Sequence, residues 1–222
     1  MAIEVRFKIF KDPCAAWTHF LGFLGSIVGL VLLVVLSAHD GPKVTAMAIY
    51  GGTLVALFGA SSMYHFFDLG YRGNRWLRRI DHSAIFLLIA GTYVPVTMHL
   101  LDGAWRISML AVVGTIALAG VILKVVWLDC PDWLGMSLYI GLGWLVVVPA
   151  YRIVPQLDPM QLFLLVSGGL AYMAGVVVFL LERPNPFRVF GHHEIWHVLV
   201  LAGASGHFLF TWDLLDQAVP PF

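Results

Sequence analysis

His193 and His197 stand four residues apart at the head of the last apolar run of the chain. On a helix that spacing puts both rings on one face, with Cβ atoms roughly 5–6 Å apart. Such a pair is a ready source of two nitrogen ligands for one metal ion, and zinc is the usual occupant. A lone histidine on an apolar helix is more often a satisfied polar residue. A pair entering a membrane with nothing else polar to do there favours metal. The stretch His193-Glu194-Ile195-Trp196-His197 also spells H-E-x-x-H, in which the glutamate is the general base of a metalloprotease. Glu194 equally suits the positive end of a helix dipole, and five residues are few enough to match by chance, so an intramembrane protease stands as an alternative only.

The elements that must position these histidines are membrane spans. The chain has 222 residues, 60% of them hydrophobic and only 12% charged, where a soluble domain would carry about 25% charged residues. Seven apolar runs are long enough, or nearly so, to cross about 30 Å of hydrocarbon: Ala15–Ser37, Val44–Phe67, His82–Leu101, Ile107–Leu128, Leu134–Tyr151, Met160–Leu181 and His193–Leu214. Backbone groups in lipid must bond internally, and β-barrel strands would be about half this length, so the runs are read as helices. The expected architecture is a single all-α domain over residues 1–222, a seven-transmembrane helix bundle. Pro95 and Pro149 fall inside runs and should kink them. Gly22, Gly25 and Gly29, with Gly51, Gly52 and Gly59, should let helices approach closely. The charged N-terminus (Glu4, Arg6, Lys8, Lys11, Asp12) and a first run long enough to span give no sign of a cleavable signal peptide. Cys14 and Cys130 suggest neither a disulfide framework nor a cysteine metal site. A net charge of zero gives no case for nucleic acid as a partner.

Lysines and arginines fix the expected orientation. Arg6, Lys8, Lys11, Arg72, Arg75, Arg78, Arg79, Lys124, Arg183 and Arg188 fall on one side, and Lys43, Arg106 and Arg152 on the other. The N-terminus is therefore expected in the cytoplasm and the C-terminus outside. Alternation then sorts the polar residues by depth. His65 lies near the cytoplasmic end of the second span, Asp81 at the start of the third, and His193 and His197 at the start of the seventh. All four should lie within about 10 Å of that surface. Three imidazoles with one open position form a catalytic zinc arrangement, in which Asp81 serves as general base or fourth ligand. Ser61, one turn before His65, could donate to an oxyanion or simply bond the carbonyl four residues back. Asp81 also sits where a helix N-cap belongs. Asp68 and His19 are weaker candidates for contacts behind the ligands. His82 points away from Asp81, His207 lies about 15 Å along the axis from His197, and His39 and His99 fall at the other end.

At these residues the chain resembles the hemolysin III-type membrane proteins, bacterial relatives of the progestin and adipoQ receptors, which include the adiponectin receptors. The matching pieces are Asp12-Pro13 through Thr18-His19, Ser61-x-x-x-His65, Arg78-Arg79-Ile80-Asp81-His82-Ser83, Ile89-Ala90-Gly91-Thr92-Tyr93-Val94-Pro95, and His193 through His197. The resemblance implies a multi-pass protein of the bacterial inner membrane with seven helices and its N-terminus inside. It implies zinc on the residues matching His65, His193 and His197, with Asp81 in contact through water. Alkaline ceramidases, more distant relatives with a similar Ser/Asp/His set, suggest hydrolysis of a lipid amide. The family name reflects a lytic activity attributed to some members, and others are linked to membrane homeostasis.

Three functions follow as expectations. The first is a zinc hydrolase acting on an amide or ester of a membrane lipid, with Asp81 and Ser61 catalytic. The second is a non-catalytic sensor or receptor whose zinc only ties helices together. The third is a cytolysin, although no amphipathic stretch or charged ring suggests a pore. Membrane lipids are the expected partners.

Overall fold

The computed structural model describes residues 11–220, so the expected charge at Glu4, Arg6 and Lys8 lies outside the described residues. Among the described residues eight α-helices follow one another: α1 (Pro13–Ser37), α2 (Gly41–Phe66), α3 (Gly70–Leu100), α4 (Gly103–Val126), α5 (Asp132–Trp144), α6 (Ala150–Ile153), α7 (Pro159–Leu181) and α8 (His192–Asp213). Short 3₁₀ turns join α5 to α6 in one interrupted crossing, Asp132–Gln156, so the helices make seven spans long and apolar enough to cross a bilayer. No strand occurs among the described residues beyond an isolated bridge between Phe187 and Phe190. The chain is an all-α, multi-pass membrane protein. Most neighbours in sequence are neighbours in space, and α8 closes the bundle by packing on both α7 and α1. The third helix is the most enclosed of the seven spans, with lipid-facing residues concentrated on α1, α4 and α7.

Proline and aspartate start several helices. Asp40 accepts from the Lys43 amide with Pro42 in the first turn, and Asp158 accepts from Met160 and Gln161 beside Pro159. These fill donors that a helix leaves open at its start. Of the expected close approaches, Gly22 lies under Phe58 and Gly51 under the Leu30 backbone; a Cβ on Gly51 would come within 3.0 Å of the Leu30 Cα. Gly25 and Gly52 face open space instead. Both cysteines are free thiols.

The third helix departs from expectation. It begins at Gly70, twelve residues before His82, and runs for 31 residues. The added turns carry Arg72, Arg75, Arg78 and Arg79, good helix formers whose length carries them beyond an apolar run. Asp68 organises the start: its carboxylate accepts from the Gly70 amide at 3.1 Å and from the Asn74 amide group at 2.8 Å. Gly70 turns the chain at φ +70°, which only glycine adopts freely. Arg75 and Arg78 then reach Asp129 in the α4–α5 connection at 2.7 and 3.4 Å. The Arg75 hydrogen bond holds the Asp129 carboxyl below its ordinary value. Asp81 therefore lies inside a helix and is not its N-cap.

The two prolines also behave differently. At Pro95 α3 continues without ending, whereas the fifth span breaks ahead of Pro149. The buried Tyr93 hydroxyl fills that break. It donates toward the carbonyls of Leu142 and Gly143 and accepts from the Val146 amide, each at 2.8 Å. Tyr93→Phe should strand these groups at a cost of about 1–3 kcal/mol, read as a lower melting temperature of the detergent-solubilised protein. An unchanged melting temperature would show that the fifth span does not depend on this hydroxyl.

Candidate metal centre

Three imidazoles meet at one end of the bundle. His193 and His197 occupy one face of the first turns of α8, and His65 occupies the last turn of α2. One ring nitrogen from each lies within 4.8 Å of the other two. His65 and His197 are buried and His193 is partly so. The rings make no flat stack: the His65 plane stands at 84° to that of His197 and at 58° to that of His193, with centroids 4.6 and 5.2 Å away. The Nε2 atoms of His193 and His197 are 3.2 Å apart. Two ligands at about 2.0–2.1 Å on a tetrahedral cation would stand roughly 3.3 Å apart, so this pair already has the spacing of two corners. The group can hold a metal ion, and an all-imidazole donor set suits zinc, copper, iron or nickel.

The orientation of His65 has a specific cause. Its Nδ1 lies 2.9 Å from Asp12 Oδ2, and the Asp12 amide donates to the His65 carbonyl at 3.0 Å. A carboxylate can only accept, so Nδ1 carries the proton and Nε2 presents its lone pair to the cluster. The same hydrogen bond holds the Asp12 carboxyl below its ordinary value against the opposing effect of partial burial. Carboxylates in this position fix ligand tautomers and raise ligand basicity. Asp12 stands just before α1 yet makes no capping bond to its own helix; its side chain is committed to His65. Asp12→Asn should weaken metal binding about 10–100-fold while leaving the three ligands in place, as competition with a chelator of known affinity would show. Affinity within about twofold of wild type would remove Asp12 from this role.

Asp81 and Ser61 lie beside the cluster. Both are buried, and Asp81 is within electrostatic reach of Ser61 and His65. Asp81 does not join the three nitrogens in the ligand group. The bond to the carbonyl four residues back is made by Ser62, whose hydroxyl donates to Phe58 at 2.7 Å.

The remaining candidates sort clearly. His19 packs on the His197 ring, 4.0 Å between centroids, with its Nε2 3.2 Å from the His197 carbonyl. Asp68 does not support the ligands; it is exposed and serves the start of α3. His82 is not one of the converging groups; its backbone carbonyl takes the Tyr139 hydroxyl. His207 makes a helix contact, with Nε2 3.2 Å from the Leu165 carbonyl on α7. His99 lies far from the cluster, with Nδ1 2.8 Å from the Pro95 carbonyl. Glu194 folds back so that its carboxylate takes the Gly191 amide at 2.8 Å. It serves the start of its own helix, which speaks against the metalloprotease pattern. Asp12 carried no role in the sequence reading beyond its place in a matching stretch. The available signal was parity, since the first span begins at the end of the bundle where the second finishes.

Comparison with known proteins gives the family. The profile described as "Haemolysin-III related" matches residues 7–208, a segment containing every residue of the cluster. "Hemolysin-3 homolog" of Bacillus subtilis (strain 168) is 31% identical over 205 residues, covering 91% of this chain and 93% of the relative. "Hemolysin-3" of Bacillus cereus is 33% identical over 197 residues, 88% of this chain and 87% of the relative. "Adiponectin receptor protein" of Drosophila melanogaster is 26% identical over 227 residues, 91% of this chain but 50% of the relative. The chain belongs to the haemolysin-III-related family of multi-pass bacterial membrane proteins.

Proposed function

We propose that this protein is a zinc-dependent hydrolase acting on an amide or ester bond of a membrane lipid. The observation that carries this reading is a ligand set of three with a carboxylate beside it. Among the described residues three imidazole nitrogens converge, and buried Asp81, within electrostatic reach of His65, does not join them. Closed structural zinc sites take four protein ligands, whereas catalytic ones take three.

In this reading His65, His193 and His197 hold the cation through Nε2. When bound, it supplies Lewis-acid polarisation of a carbonyl and acidifies water at its remaining position. Asp81 accepts the proton of the attacking water and returns it to the departing amine or alcohol. Ser61 holds the Asp81 carboxylate in place, a positioning role rather than the oxyanion contact expected from its spacing. Asp12 keeps His65 in the ligating tautomer. Lipid reaches the site from the bilayer. We place this end of the bundle on the cytoplasmic side. Among the described residues it carries Lys11, Arg72, Arg75, Arg78, Arg79, Lys124, Arg183 and Arg188, against Lys43, Arg106 and Arg152 at the other end.

The test is metal analysis of the purified protein together with a turnover screen of lipid amides and esters. The expected result is about one zinc per chain and release of free fatty acid from at least one lipid class. Zinc without product from any of them would reject the hydrolase. A sensor with structural zinc is the second reading. It is favoured by the ties between α1, α2 and α8 at this end, where Asp12 grips His65 and His19 grips His197. In this reading the three imidazoles would join α2 to α8.

A further inference from the structure

The segment between α7 and α8 folds over the histidine end and leaves an open cavity of about 520 Å³. Asn185, Pro186, Phe187, Arg188, Gly191, His192, His193 and Glu194 line it. One wall is thus His193, so the cavity leads to the candidate metal centre. Its volume is within the usual range for ligand sites.

Most of the polar groups in its walls are already committed. Asn185 Oδ1 accepts from both the amide and the Nδ1 of His192 at 2.9 Å, and Asn185 Nδ2 donates to the Glu182 carbonyl at 2.7 Å. Glu194 takes the Gly191 amide. A Cβ at Gly191 would strike Asn185 Oδ1 at 2.5 Å, so glycine is what lets the segment close down on α8. Arg188 is the exception. It is exposed and forms no ion pair, hydrogen bond or ring contact among the described residues. On either side of it Phe187 is 70% and Val189 71% exposed. An uncommitted guanidinium between two bare apolar side chains suits the membrane interface, where the charge meets phosphate and the apolar groups meet acyl chains.

We propose that this cavity is the headgroup site for a membrane phospholipid, with Arg188 holding its phosphate and Phe187 and Val189 seated among its acyl chains. The proposal rests on the hydrolase reading only for what happens next: a lipid held there presents its linkage to His193. It narrows the substrate class from membrane lipids in general to those carrying a phosphate.

The test is binding of a short-chain phosphatidic acid to the purified full chain in detergent, compared with a diacylglycerol of the same acyl length and with inorganic phosphate. Phosphatidic acid should bind best. Arg188→Gln should weaken it at least about tenfold, whereas Arg72→Gln, at another exposed arginine, should not. Replacing Phe187 and Val189 with serine should weaken phosphatidic acid and leave inorganic phosphate unchanged. Equal losses in the two arginine variants, or diacylglycerol binding as tightly as phosphatidic acid, would overturn the site. Inorganic phosphate competing as well as the lipid would overturn the lipid as its occupant. The measurement needs no turnover. Binding without hydrolysis leaves this site standing and removes only the hydrolase; hydrolysis indifferent to Arg188 does the reverse.

Discussion

With zinc held by the three imidazoles as proposed, His197→Ala is expected to lower zinc content from about one per chain to near zero. The loss follows from geometry. His197 is the buried member of the pair whose Nε2 atoms stand 3.2 Å apart, and its ring also faces His65 at 4.6 Å between centroids. Without it the remaining nitrogens come from opposite helices and no chelating pair is left. Affinity should fall by more than the 10–100-fold that loss of an outer partner costs. His207→Ala is the control, because that ring contacts α7 and lies about 15 Å along the axis. It should keep its zinc. Full zinc content in the His197 variant would refute the metal centre. Melting temperatures measured alongside divide the two functional readings. A metal that binds only the folded state stabilises it, and one that clamps α2 to α8 should be needed for that stability. If stripping the wild type with a chelator leaves its melting temperature within a degree or two, the structural clamp fails.

The sequence carried the histidine pair because spacing on a single helix is local information. It carried the third imidazole by parity, since the second span must end where the seventh begins. Depth along a span is set by residue number, and the structure brings His65 to the α8 pair as that arithmetic requires. What was not legible depends on things that hydropathy and spacing do not encode. The start of α3 was misplaced because an apolar run marks the part of a helix inside lipid, and the arginine-bearing turns extend beyond it. Asp68 stands three residues after His65, but α2 ends at Phe66, so by residue 68 the chain has left the helix and the shared face is gone. Asp12 finds its partner 53 residues away, and no local pattern announces such a pairing. The approach of Asp81 on α3 to Ser61 and His65 on α2 likewise depends on packing across the bundle.

Asp81→Asn should separate chemistry from metal binding. Asp81 is not one of the three converging groups, so the variant should retain its zinc. The amide is nearly the same size as the carboxylate, so the buried site keeps its shape. It cannot accept a proton from water. If Asp81 is the general base, lipid turnover should fall about 10²–10⁴-fold, seen as a drop in kcat with zinc content and melting temperature close to wild type. Ser61→Ala should show a smaller loss in the same direction, because it loosens Asp81 without removing it. The combination of Asp81→Asn and Ser61→Ala should then be little worse than Asp81→Asn alone, since a positioning residue has nothing left to position. Additive losses would mean that Ser61 touches the substrate independently, as its spacing from His65 first suggested. Undiminished turnover in Asp81→Asn would take this carboxylate out of the mechanism. Loss of zinc in the same variant would make Asp81 a fourth ligand and shift the balance toward a closed, structural site.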